Sequence, residues 1–529
     1  MMQPPSVSVL LADLSIFFLV LFALTWFLPR RWLASVAVRR PLPPGPPTGW
    51  FGNFSLPSSY QWLHYAKWKE LYGRDTWNTK GDIIYVYVLG NPIIVVNSAQ
   101  VAEELFERRS KKYSSRPIRT MVVELMGWDW LFSSMPYGKR WKQHRLLFRR
   151  HFHRMLTSEY HSIITKETFT TLRNLAHTPD DFAHHLRRTA AAIVMKISYG
   201  HEVSDKGDIY VTLADEAMQG LGTAGIFGTF LVDYLPFLKY VPAYMPGANF
   251  KRQALIWRKK TRAMIDQPFQ AVRERMANGT AIPCFAQKEL EKLQQDPDPN
   301  SDYETTIKNV AGISYAAGAD TTVSTLLSFV LAMLVHPEVQ KRAQQELDDV
   351  LAMDRLPTFA DRSKVPFIDC IVWECLRWNP VLPMGLARLV SSDDEYNGYF
   401  IPNGTSVLPN VWAILHDPDV YPDPLIFSPE RFSDQKRNDE LGINKLPWPA
   451  FGFGRRMCPG RWLAYESVWF SIACILSVYS IERCLDENGL EIVPEVVYTS
   501  SMISRPKPFK CRLIPRSERA AQLIKGTAS

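Results

Sequence analysis

The sequence predicts a mainly helical chain with small β-sheets, an α+β arrangement, and three observations predict it. Residues 305–335 carry apolar side chains at three- and four-residue spacing and stop at His336-Pro337, a helical pattern with its terminator. Two β-rich runs, 83–89 and 93–97, flank Gly90-Asn91-Pro92, and Asn403-Gly404 marks a second hairpin within 399–414; both read as hairpins. An apolar run, 462–479, follows Pro459-Gly460, where a proline suits the first turn of a helix.

Taken in order, the chain of 529 residues begins with an almost wholly apolar stretch at 7–28. As a helix it would span roughly 33 Å, enough for one bilayer crossing. Asp13 inside it costs about 3 kcal/mol on insertion scales. Arg30, Arg31, Arg39 and Arg40 follow the stretch and no Lys or Arg precedes it, so the positive-inside rule places the remainder in the cytosol. Residues 1–29 are thus predicted to be a transmembrane anchor, against the alternative of a signal peptide cleaved near Ser35-Val36-Ala37. Residues 30–50 read as a basic and proline-rich hinge, and 41–47 favour polyproline II.

Seven cysteines show no C-x-x-C pair and no zinc-ligand cadence. That excludes a zinc-ribbon module and argues against a disulfide framework, placing the body in a reducing compartment. The three Asn-x-Ser/Thr sequons are then chance matches. Net charge is +8, with a basic run from Lys139 to Arg145 that continues to Arg149, Arg150 and Arg154. No nucleic-acid recognition motif accompanies it, so no nucleic-acid partner is expected. Charged stretches at 287–303 and 433–444 read as surface loops or short helices.

Four clusters carry chemistry. Trp141 and Arg145 stand four apart and present an indole N–H and a guanidinium on one helix face, which suits a carboxylate, although a Trp and an Arg simply packed at a helix surface is the better reading of the pair taken alone. Within the long helix, Ala317-Gly318-Ala319-Asp320-Thr321-Thr322 interrupts the apolar pattern. A threonine hydroxyl there can bond the carbonyl a turn back, and an acid beside an alcohol can pass protons to a neighbouring centre. A kinked helix with a satisfied aspartate reads the same residues equally well. Glu374 and Arg377 are three apart among apolar neighbours, with Arg431 as a third member, and read as a structural triad. Finally, Phe451-Gly452-Phe453-Gly454-Arg455-Arg456-Met457-Cys458-Pro459-Gly460 puts one cysteine just before a helix N-terminus and beside two arginines, where a thiolate is favoured. The glycines leave backbone bare for a flat macrocycle. A buried free cysteine in a turn remains the alternative for the loop taken alone.

In this order, these motifs resemble the cytochrome P-450 superfamily of haem-thiolate monooxygenases over nearly the whole chain, most like fungal microsomal members of secondary metabolism. The resemblance implies the cytochrome P-450 fold, with 51–529 as the catalytic domain behind a single-pass anchor in the endoplasmic reticulum. It implies haem b with Cys458 as axial thiolate and Phe451, Gly454 and Arg456 in the haem loop. Trp141, Arg145, Arg388 and Arg456 would hold the propionates, and Asp320 and Thr321 would be the catalytic acid-alcohol pair. It implies electrons from NADPH through a reductase docked on the basic helix, with cytochrome b5 as a further donor. The reaction implied is hydroxylation or epoxidation of a lipophilic molecule, terpenoid or polyketide-like. Alternatives are xenobiotic or fatty-acid oxidation by the same chemistry, or a haem-thiolate isomerase or dehydratase. The segments 117–132, 221–232, 383–386 and 500–503 and the helix face near Ala316 would line the substrate pocket, with Trp128, Trp130, Phe227, Phe230 and Met502 either as apolar contacts or as ordinary core packing. Two departures from the family pattern stand out: Ala387 before Arg388, where many members carry His, and an extra segment at 74–80.

Overall fold

The computed structural model describes residues 41–48, 52–53, 56–57, 59–73, 82–296, 302–434 and 447–527. The predicted anchor at 1–29, its flanking arginines and the 74–80 segment lie outside the described residues. The longer helices are α1 (Gln61–Tyr72), α2 (Lys139–Phe152), α3 (His161–His177), α4 (Phe182–Tyr199), α5 (Ile209–Ala224), α6 (Asn249–Ala277), α7 (Phe285–Gln295), α8 (Tyr303–Val335), α9 (Pro337–Leu351), α10 (Pro366–Trp378), α11 (Arg461–Val478) and α12 (Glu518–Gly526).

The long helix is found as α8, two residues longer than predicted at its start and ending before His336-Pro337. It is long and apolar enough to cross a membrane, yet 72% of that apolar window is buried inside the protein. α8 and α11 are apolar around most of their circumference, and most of their side chains are buried against neighbouring elements. Two glycines explain how closely α8 is packed. A Cβ at Gly318 would stand 2.8 Å from Val194 Cγ2 of α4, and one at Gly312 would stand 2.9 Å from Ile265 of α6.

The main sheet has the order β1-β2-β6-β3, with β1 Ile83–Val88, β2 Asn91–Val96, β3 Arg388–Leu389 and β6 Ser406–Pro409. The first predicted hairpin forms, but its turn lies at Leu89-Gly90, where φ is +45° and +84°, and Pro92 pairs with Tyr87 inside the ladder. The second is corrected. β5 (Tyr399–Ile401) pairs backward with β4 (Asp394–Tyr396) through Asn397-Gly398, while β6 leaves that hairpin and runs parallel to β2. Asn403-Gly404 therefore passes the chain between sheets, and Asn397-Gly398, with φ of +49° and +81°, is the hairpin turn.

One buried acid binds the helical side together. Glu289 of α7 is 1% exposed; it accepts from Tyr303 and Lys292 and meets His151 Nε2 of α2 at 2.8 Å. Burial pushes its carboxyl up, but the hydrogen bonds from His151, Lys292 and Tyr303 outweigh it and hold the group at about 2. A folded-state value below the unfolded one stabilises above pH ~4.5, and that contribution fades as pH falls toward 2. Glu289→Gln is expected to remove about 2–3 kcal/mol at pH 7 and to flatten the loss of stability between pH 4.5 and 2, read by urea denaturation across pH.

Candidate active site

Cys458 sits at the end of a chain of tight turns, Trp448–Phe451 and Gly454–Arg456, immediately before α11. Its backbone N–H donates to Phe451 O at 2.8 Å, and Arg461 Nη1 donates to Cys458 O at 2.9 Å. Burial pushes the thiol up, while the Gly460 N–H and the charges of Arg145 and Arg461 pull it back. Bare backbone facing open space occurs at Gly452, where φ is +80° and a Cβ would meet nothing. Gly454 has another reason to be glycine: its φ is +51° and a Cβ would lie 2.2 Å from Phe106 O, so it seats the loop on the segment at 104–108.

Above Cys458 lies a cavity of about 400 Å³, bounded below by Phe451, Gly452 and Cys458 and above by Ala317, Gly318, Thr321 and Thr322 of α8. Trp141 and Arg145 reach it from α2, and Arg388 and Arg456 from the sheet and the loop. The hydroxyls of Thr321 and Thr322 donate to the carbonyls of Ala317 and Gly318 at 2.6 and 2.8 Å, the back-bonding expected from sequence, and α8 stays continuous through it. The acid and the alcohol point apart. Successive helical residues are rotated by about 100°, so Thr321 faces the cavity while Asp320 pairs with Arg187 of α4 at 2.7 Å.

The arginines are electrostatically unfinished. Burial and then the charges of Arg116 and Arg145 push the Arg456 guanidinium down to about 8; burial and then Arg456 push Arg388 down to about 9. Burial lowers Arg145 to about 10, and Arg116 is lowered further by burial and Arg388. Arg388 Nη1 is buried without a partner, while its Nη2 donates to Phe453 O at 2.8 Å. Among the described residues no Asp or Glu lines the cavity. Packing several cations together in low dielectric without an acid is costly, and a planar group carrying two carboxylates, laid between Cys458 and α8, would supply the missing charge. The thiol, the bare Gly452 backbone and the unpartnered Arg388 nitrogen together fit a haem.

Arg456 donates to Ser114 O, Phe132 O and Met135 O and lies 4.2 Å over the Trp141 ring. Arg116 was not singled out from sequence. It is tied to Ser133, Leu386 and Ala387 carbonyls, and such long-range tethers leave no local signal. Each predicted lining segment contributes, through residues such as Val122, Phe227, Leu386 and Met502. Trp128 and Trp130 take the core-packing alternative: they are fully buried behind the wall, their rings tilted against each other at 5.2 Å, with Trp130 against Gly312. Phe230 is half-buried and packs against the core instead of lining the cavity.

Glu374 and Arg377 of α10 are fully buried and form two hydrogen bonds of 2.7 Å; Arg431 adds one of 3.1 Å. Ser428 N–H also donates to Glu374, at 2.8 Å.

This fold, with one thiol facing a long helix across a cavity and cations at the cavity edge, is that of a haem-thiolate oxygenase. The family description Cytochrome P450 matches residues 43–512. A cytochrome P450 monooxygenase of Armillaria gallica is 40% identical over 93% of this chain and 96% of its own length. Cytochrome P450 monooxygenase 208 of Postia placenta is 41% identical over 92% and 93%, and tryptamine 4-monooxygenase of Psilocybe cyanescens is 36% identical over 92% and 94%. The chain belongs to the cytochrome P450 family and is a monooxygenase of the kind that uses haem with a cysteine thiolate and electrons from a redox partner.

Proposed function

We propose that this monooxygenase hydroxylates or epoxidises a neutral, lipophilic small molecule of fungal secondary metabolism, terpenoid or polyketide-like, as an anchored protein of the endoplasmic reticulum. The observation that carries the substrate class is the lining of the cavity, which is largely apolar and whose charged members are arginines without a single acid among the described residues. Cys458 would hold the iron, with Trp141, Arg145 and Arg388 on the propionates and Arg456 bracing Trp141. Bound haem supplies O2 activation and oxygen insertion. The chain's own residues do the rest. Apolar walls exclude water and orient the substrate under α8, and Thr321 presents a hydroxyl oxygen to the cavity, with Asp320 one residue away as the acid behind it.

A protonated amine buried in such a cavity would need a carboxylate partner. The relative named for tryptamine therefore gives no guide to the substrate here. In a Soret titration of the haem-loaded protein, farnesol is expected to give a saturable shift and a permanently cationic trimethylated tryptamine none. Tighter binding of the cation would contradict the proposal.

The reductase would dock on the outer face of α2. Lys139, Arg140, Lys142, Arg149 and Arg150 are exposed there, while the inner face carries Trp141 and Arg145 to the cavity. Charge-steered encounter weakens with salt, so reductase-supported turnover is expected to fall severalfold between low and high ionic strength, and Lys142→Glu to lower it at low salt only.

A further inference from the structure

Arg187, near the start of α4, donates through one nitrogen to two acids. Its Nη1 lies 2.7 Å from Asp320 Oδ1 of α8 and 2.7 Å from Asp215 Oδ1 of α5. The two carboxylates therefore stand within two hydrogen-bond lengths of each other, with one guanidinium between them. They differ in access: the Asp215 side chain is 46% exposed and that of Asp320 13%. Asp215 thus opens to solvent, and Asp320 lies between it and Thr321. Burial, then the balance of Arg187, Asp320 and Arg505, leaves the Asp215 carboxyl raised, and the buried Tyr315 phenol completes the surroundings.

This arrangement poses a problem for proton delivery. An aspartate paired to an arginine points away from the cavity, and leaving that arginine bare in a partly buried site is unfavourable. A second carboxylate on the same nitrogen removes the difficulty, because the guanidinium stays neutralised while the first one turns. Thr321 is ready to receive: its hydroxyl hydrogen is committed to Ala317 O at 2.6 Å, which leaves its oxygen free to accept.

We infer that Asp215 is a positioning residue for proton delivery, holding Arg187 while Asp320 releases it, takes a proton from solvent water and turns toward Thr321. The step moves one proton and breaks no other bond. Asp320 gains an O–H, gives that proton to water bound at the Thr321 oxygen, and returns to Arg187 as a carboxylate. The inference rests on the reading of Asp320 and Thr321 as the acid-alcohol pair, and its test separates the two.

The test compares Asp215→Asn, Asp215→Glu and Asp320→Asn in the haem-loaded protein. A crystal structure of Asp215→Asn is expected to show both Asp320 oxygens on Arg187. With reductase, NADPH and the neutral compound giving the largest Soret shift, Asp215→Asn should lower product formed per NADPH by about fivefold, as an exclusive ion pair tightens, and should raise the solvent isotope effect. Asp215→Glu should restore both values. An unchanged Asp320 pairing together with a wild-type isotope effect in Asp215→Asn would overturn the inference, even if the variant were less stable. If Asp320→Asn keeps wild-type coupling, the acid-alcohol reading falls and this inference with it; if only Asp320→Asn uncouples, the inference alone falls.

Discussion

Arg377→Ala is expected to destabilise the fold by about 3–5 kcal/mol, the range for removing one partner of a buried ion pair. Glu374 and Arg377 have no exposed surface, so the carboxylate left behind cannot turn to water. Arg377 also donates to the carbonyls of Leu415, Pro424 and Ile426, and alanine leaves these without its donors. Those carbonyls belong to the segment that leads from the sheet toward Arg431, so the loss spreads from α10 to the approach to the Cys458 loop. Domains have net stabilities of about 5–15 kcal/mol, which makes this a large share. Arg431→Ala should cost less, about 1–2 kcal/mol, because its bond to Glu374 is 3.1 Å long and its side chain keeps 11% exposure. Urea denaturation of both variants checks the order; an Arg377→Ala protein within about 1 kcal/mol of wild type would contradict it.

Cys458→Ala is expected to abolish oxygen insertion, to below ~1% of wild-type turnover, while the chain still folds. The backbone bonds that shape the loop, from Cys458 N–H to Phe451 O and from Arg461 to Cys458 O, do not involve the side chain. Removing a sulfur at the cavity edge should cost about 1 kcal/mol or less. Arg145, Arg388 and Trp141 remain to attract an anionic macrocycle, so the defect should lie in the chemistry and not in folding. Product formation with reductase, measured beside a thermal melt, reads the two effects separately.

Some of this architecture is legible in sequence because local spacing carries it. The 305–335 pattern gives α8, and the three-residue separation of Glu374 and Arg377 in apolar company gives the triad. Cys458 before an apolar run gives the thiol at a helix start. What escapes sequence is set by long-range contacts. Arg116 owes its place to carbonyls at Ser133, Leu386 and Ala387, and Arg187 meets Asp320 only because α4 packs along α8. Aromatic residues near a cavity do not reveal which side of its wall they occupy, so sequence leaves Trp128 and Trp130 open between cavity and core, and only the fold places them in the core. For the second hairpin, Asn403-Gly404 and Asn397-Gly398 both carry a turn signal, and only the pairing of β4 with β5 decides between them.

We propose Cys458 as the thiolate ligand of haem iron in the cavity beneath Thr321. The most direct measurement is the reduced, CO-bound difference spectrum of the purified protein and of Cys458→Ala. Wild type is expected to give the thiolate band at about 450 nm and Cys458→Ala to lose it. Folded, haem-loaded wild type without that band, or a Cys458→Ala variant that keeps it, would contradict the account.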